Sequence, residues 1–205
     1  ALRALLLSCQ YRTPISFSHK LLVEAERRLD KVYETLAAID AYVSDQTFTP
    51  GDSFAKMFEI DLRAKFEEAM DDDFNTAKAL ADVGEVFRIA NDLVNNKEKA
   101  RIGRKLSATD KSRLLTEVRQ LANECGDVLG LWGQDPQVYL TRRRTKLLAG
   151  LDITEAQIEQ GIVDRATARS DKDWARADEI RHELKAKGVV LNDSPSGTTW
   201  AIDDA

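Results

Sequence analysis

With 205 residues the chain has room for one large or two small domains, and 43% hydrophobic with 32% charged residues is the balance of an ordinary soluble globular protein. A net charge of −5 argues against the broad basic surface of a sequence-independent nucleic-acid binder, but not against a reader of a few exposed bases. Apolar runs are short and broken by charge, which argues against a transmembrane helix or secretory signal, and two cysteines that read as reduced thiols make the cytoplasm the expected compartment.

The chain begins without methionine and already in helical pattern, as if cut from something longer. Leu2, Leu5, Leu6 and Cys9 predict a helix from Ala1 to Tyr11, ended by Thr13-Pro14 because the residue before proline is pushed out of the α region. Ser18 is placed as the N-cap of the next helix, with Phe17 and Leu22 positioned for a hydrophobic staple. Leu22, Ala25, Leu29, Val32, Leu36, Ile39 and Val43 alternate in steps of three and four, predicting one long amphipathic helix from His19 to about Val43. Residues 44–53, with Pro50-Gly51, read as a loop. Phe54, Phe58, Leu62, Phe66 and Ala69 form a second stripe.

Asp71, Asp72 and Asp73 follow. They could flank the positive end of the next helix or contribute to a metal cluster; consecutive carboxylates on a helical approach do not converge on one ion, which favours the capping role. Asn75 or Thr76 caps a helix with Leu80, Val83, Phe87, Ala90, Leu93 and Val94 inward. The basic stretch 95–107 reads as a loop. Thr109 is expected to cap a helix with Leu114, Leu115, Val118, Leu121, Ala122, Cys125, Val128 and Leu129 as its stripe, closed by Gly130. Four such stripes predict an antiparallel helical bundle over 1–140.

Asp135-Pro136 marks a break, and 141–153 reads as a linker or frayed helix. It contains Arg142, Arg143, Arg144 and Lys146, a phosphate-binding patch or simply a solvated run of charge. Thr154 to Gln157 is a capping box opening a helix through Ile158, Ile162, Ala166 and Arg169. Asp171 is expected to cap the next helix, on which Trp174, Ala177, Ile180, Arg181 and Leu184 share a face. Gly188 sits at the C-terminal cap, and two β-prone runs around Ser194-Pro-Ser-Gly197 predict a hairpin with Trp200 beneath it. The expected fold is therefore mainly α: a bundle, a linker over 141–153, and a small α+β unit over 154–205 made of two helices and a β-hairpin.

Cys9 and Cys125 read as two reduced, buried thiols, and the isolated His19 and His182 do not assemble a metal site. No phosphate loop, nucleophile elbow or zinc-ligand pair stands out, so neither a catalytic residue nor a metal ligand is expected.

The series "Ala-Arg…Lys-Asp-Trp…Ala-Asp…Ile-Arg…Leu…Gly-Val…Leu…Asp…Gly-Thr-Thr-Trp", from Ala168 to Trp200, resembles the C-terminal end of bacterial cysteine–tRNA ligases. So do "Leu-Leu-Ser…Tyr-Arg" at 6–12, "Pro-Ile-Ser-Phe-Ser" at 14–18 and "Met-Asp-Asp-Asp-Phe-Asn-Thr" at 70–76. The resemblance implies a DALR-type bundle followed by an anticodon-reading unit, without the family's catalytic signatures. It implies a monomeric fragment whose partners are tRNA(Cys) and the missing catalytic domain, with ATP and zinc needed only by that domain.

The resemblance also assigns the base contacts: Arg169, a stacking Trp174, and the carboxylates of Asp178 and Asp193. Their chemistry suits the unstacked bases of a GCA anticodon, with carboxylates accepting from base N–H groups, an arginine donating and an indole stacking. Lys172 joins Arg142, Arg143, Arg144 and Lys146 as a phosphate contact. Plainer roles exist for each: Trp174 in the core, Asp178 paired with Arg181, Asp193 in a turn. A helical interaction module that has lost RNA reading is the alternative function.

Overall fold

The computed structural model describes residues 1–43, 62–97, 105–194 and 197–202. The chain divides into two compact units, Ala1–Leu140 and Thr141–Ala205. It is mainly α with one two-stranded antiparallel sheet, the fold class the stripes predict.

The first unit contains α1 (Leu2–Leu7), α2 (His19–Val43), α3 (Leu62–Asp71), α4 (Thr76–Val94), α5 (Ala108–Leu129) and the start of α6 (Pro136–Leu148). The predicted stripes form its core: Leu36 and Ile39 of α2, Leu62 and Phe66 of α3, Val83 and Phe87 of α4, and Leu114, Leu115 and Val118 of α5 are all buried. Phe54 and Phe58 lie outside the described residues. Two aromatic contacts tie distant segments into this core. Tyr33 stacks on Tyr139 at 3.7 Å between centroids, while the Tyr139 hydroxyl donates to Asp30 at 2.7 Å. Trp132 packs edge-on to Phe87 and donates its indole N–H to the Ala122 carbonyl at 2.7 Å.

Several local expectations change. The first helix stops at Leu7, because the Ser8 hydroxyl donates to the Leu5 carbonyl at 2.7 Å and closes the last turn. Ser18 caps α2, accepting from the Leu21 N–H, but Phe17 is exposed instead of stapled. Ser107, not Thr109, caps α5: its hydroxyl accepts from the Asp110 N–H and starts the helix two residues early. Cys125 is buried as expected and Cys9 only half so. Among the described residues the Asp71–Asp73 run forms no cluster of metal-ligating side chains. Asp73 instead accepts from Tyr11, Arg12 and Gln10, and Asn75 caps α4.

The second unit holds the rest of α6, then α7 (Glu155–Ser170), α8 (Trp174–Ala186), β1 (Val189–Ser194) and β2 (Gly197–Ile202). Residues 141–148 of the segment read as a linker are helical, and Leu148, Leu151 and Ile153 join the second core. Asp135 accepts from the Val138 N–H with Pro136 in the first helical position, so the Asp-Pro break is a helix start. The capping box is complete: Thr154 accepts from the Gln157 N–H, and Gln157 from the Thr154 N–H. Asp173, not Asp171, caps α8, accepting from the Arg176 N–H at 3.0 Å. Gly188, at φ +80, allows the left-handed exit from α8, where a side chain would also press on Leu151. Ile158, Ile180, Leu184, Val189, Leu191 and Trp200 fill the core between helices and hairpin.

Candidate nucleic-acid interface

The hairpin register pairs Val189 with Ile202, Leu191 with Trp200, and Asp193 with Thr198. Strand side chains alternate between faces, so Val189, Leu191 and Asp193 share one face, as do Trp200 and Thr198. The first two of β1 and Trp200 are buried. Asp193 therefore continues the inner face past the edge of the core, where it meets α7 while staying partly open to solvent.

What it meets is Arg165, only 6% exposed. Arg165 lies seven residues after Ile158, on the stripe that fills the core, so the helix period carries a guanidinium to the hairpin. Its Nη1 and Nη2 donate to Asp193 Oδ1 and Oδ2, each at 2.8 Å. Thr198 Oγ1 donates to Oδ1 at 2.8 Å, and Arg169 Nη1, one turn further along α7, reaches Oδ2 at 3.4 Å. These bonds, the Arg165 pair first and Thr198 next, hold the Asp193 carboxyl below the usual carboxylate range. The Arg165 pKa is raised in turn by its bonds to Asp193, with a Coulombic contribution from Asp178 on α8.

Trp174 opens α8 and is 59% exposed. Ala177, Ile180 and Leu184 cover the core side of that helix, so Trp174 is not the core residue its periodicity allows. Asp178 lies one turn on, four residues from Trp174, so the two side chains are neighbours on the surface. It is exposed and has no ion-pair partner among the described residues. Between the helices, Lys172 adopts φ +60, a left-handed conformation that turns the chain tightly from α7 into α8. Arg169, Lys172 and Trp174 thus follow one another around an exposed corner.

The arginine run sits on α6. Arg144 lies over the Trp200 ring, 4.4 Å from its centroid, and 3.7 Å from Glu155. The other edge of Trp200 donates to Glu159 at 2.7 Å. Arg142, Arg144 and Lys146 are exposed and Arg143 is half-buried.

Comparison with known proteins assigns both units. Residues 65–133 match the family described as DALR domain, and residues 155–200 the family described as cysteinyl-tRNA ligase anticodon binding domain. The chain is 40% identical over 204 residues to a cysteine–tRNA ligase of Geobacter metallireducens, the match covering 98% of this chain and 40% of that protein. Cysteine–tRNA ligases of Desulfotalea psychrophila and Anaeromyxobacter dehalogenans are 37% and 39% identical, over 100% and 99% of the chain. The chain belongs to the cysteine–tRNA ligase family. It spans about two fifths of the length of these relatives.

The anticodon binding domain match covers Arg165, Arg169, Lys172, Trp174, Asp178 and Asp193 alike. The structure joins Arg169 to Asp193 directly and leaves Trp174 and Asp178 exposed one turn apart on α8. Arg142, Arg143, Arg144 and Lys146 lie outside the matched range. Arg165 is the residue that reading the sequence missed. Two periodic signals point to it together: the seven-residue step from Ile158, and the two-residue steps from Val189 through Leu191 to Asp193.

Proposed function

We propose that this chain recognises the anticodon of tRNA(Cys), acting as the RNA-reading part of a cysteine–tRNA ligase. The observation that carries the reading is the contact of Arg169 on α7 with Asp193 on the hairpin, with Trp174 and Asp178 exposed one turn apart on α8. The group offers guanidinium donors, a carboxylate acceptor and an indole face, the set that suits unstacked bases with free edges. The acidic net charge fits selection through base edges, with few phosphate contacts. Lys172, Arg142, Arg143, Arg144 and Lys146 supply cations for the RNA backbone.

On this reading aminoacylation, with its ATP and zinc, falls to parts of the ligase that this chain does not span. The chain works as a monomer in the cytoplasm, attached to the catalytic part. Among its described residues no helix is long and apolar enough to cross a membrane.

Binding of the chain to tRNA(Cys), compared with three tRNAs each changed at one anticodon base, tests the reading. Each change is expected to weaken binding about tenfold, the size of one good base contact. Asp178→Ala should erase one of these preferences without altering the salt dependence, whereas Lys172→Ala should weaken all four RNAs alike. Equal affinity of the unaltered chain for all four overturns it.

A further inference from the structure

Leu2, Leu6, Tyr11, Phe17 and Leu21 are exposed, half of the large apolar side chains open to solvent among the described residues and all within a tenth of the chain. Exposure concentrated in one stretch marks a face that is covered in use. α1 (Leu2–Leu7) is apolar on every side: Leu5 is buried against the bundle, while Leu2 and Leu6, one turn apart, stand open. A helix apolar all round belongs in an interior. Its one charged side chain, Arg3, turns back to the bundle and donates to the Gly130 carbonyl at 2.5 Å. Phe74, also exposed, joins this face. Asp73 and Phe74 both take the left-handed backbone, φ +53 and +52, which is costly for residues with side chains. Gln10, Tyr11 and Arg12 all donate to the Asp73 carboxylate, so the turn that displays Phe74 is pinned to the segment that displays Tyr11.

Beside α1 runs a groove of about 1160 Å³ between α2 and α4. Leu29, Val32, Val83 and Phe87 line it, Leu21 stands exposed at its mouth, and Arg28 and Arg88 are exposed on its two walls. It is larger than the roughly 300–1,000 Å³ of small-molecule pockets, and an apolar floor between charged walls is the form that takes the apolar side of a helix. The α4 wall is low: Ala77, Ala81 and Gly84 line it, and a Cβ on Gly84 would meet nothing within 4 Å. A second helix can therefore come close to α4.

About three fifths of each relative has no counterpart in this chain. The chain resembles the C-terminal end of those ligases, which puts that part before Ala1, joined through the α1 that itself lines the groove. We propose that the groove, the outer side of α1 and the Tyr11–Phe74 corner form the seat of this preceding part of the ligase, one helix of which lies in the groove with its apolar side on Leu29, Val32 and Phe87. The two are one polypeptide, so the seat works at a millimolar effective concentration and needs no area large enough for a stable complex of separate chains. The inference rests on the attachment of this chain to the catalytic part and owes nothing to base reading, so either can fail alone.

Cys9 lines the groove and Cys125, the other cysteine, is buried in the bundle, so the chain carries its own probe and control. The measurement is the rate at which N-ethylmaleimide modifies each, read by peptide mass spectrometry, in the 205-residue chain and in the full-length ligase. Cys9 is expected to react about tenfold more slowly, or less, in the full-length ligase, and Cys125 to stay slow in both. Ala81→Arg, at an exposed position on the α4 wall, should leave the thermal midpoint of the 205-residue chain unchanged and restore fast modification of Cys9 in the full-length ligase. Hydroxyl-radical footprinting reads the same surface without a variant: Leu2, Leu6, Tyr11 and Phe74 should be protected in the full-length ligase only. Equal Cys9 rates, protection of Cys9 that survives Ala81→Arg, or footprints that do not differ overturn the proposal. So does a Cys9 already slow in the 205-residue chain. Slowing that grows with concentration gives the groove to a second copy, slowing that needs added tRNA gives it to RNA, and slowing that depends on neither means the groove is shut.

Discussion

Arg165 and Asp193, 28 residues apart in the chain, meet as a two-pronged guanidinium–carboxylate pair with both bonds at 2.8 Å, joining α7 to the hairpin. One partner is buried and the other is not, with side-chain exposures of 7% and 41%. That asymmetry makes the two ends of the pair behave differently on substitution.

Asp193→Ala leaves a buried guanidinium without its counter-charge, and breaking a buried pair from one side is the costly direction, up to about 3–5 kcal/mol when both partners are buried. With Asp193 partly open to water the loss should be nearer ~2 kcal/mol. Arg165→Met removes the buried charge and leaves a carboxylate that water can solvate, so it should cost less. The Nε of Arg165, buried without a partner, is relieved by the same change. Chemical denaturation of the two variants checks the order; a larger loss for Arg165→Met would contradict it.

The same pair sets an acid dependence. The Asp193 pKa is lowered from an ordinary value of 3.8, so its contribution to stability is fully present above that value and is lost as pH falls through the depressed folded-state value. Unfolding free energies of the wild type and Asp193→Asn should therefore differ by a constant amount near neutrality. The gap should narrow only as pH drops below about 4. A gap that instead closes between pH 5 and 7 would show that the carboxylate is not held this way.

The two tryptophans of the second unit should separate function from folding. Trp174 is exposed, so Trp174→Ala should change stability by no more than about 0.5 kcal/mol while weakening tRNA binding by about 1–3 kcal/mol through lost stacking. Trp200 is buried between Arg144 and Glu159, and Trp200→Ala should cost about 3–5 kcal/mol of folding free energy. Thermal unfolding and RNA titration of the pair read both effects. Equal stability losses would mean that Trp174 is covered in solution.

In the first unit, Gly126 faces the Trp132 indole, and an added Cβ would collide with it and with the Leu131 carbonyl, 2.8 Å away. Gly126→Ala is expected to destabilise that unit by about 1–3 kcal/mol despite the better helix propensity of alanine. Hydrogen exchange should show the loss as weaker protection across α5 (Ala108–Leu129). Gly84, where a Cβ meets nothing within 4 Å, is the control: Gly84→Ala should be neutral or stabilising.

Reading the chain alone was enough for the long helices, their buried stripes, the Thr154–Gln157 capping box and the glycine stops at 130 and 188. Each rests on interactions spanning only a few residues, and such interactions repeat at the helical or strand period. Arg169, Trp174, Asp178 and Asp193 came forward as candidates through a family resemblance and not through spacing. Tertiary structure alone decided that Trp174 stands outside, while Trp200 lies within as the hairpin pattern predicts. Trp174 satisfies the period of the buried stripe, and which flank of a helix is covered depends on what distant segment arrives to cover it. It alone decided that Asp193 faces a buried Arg165. Two periodicities, one of a helix and one of a strand, specify that meeting only once the hairpin has folded back onto α7.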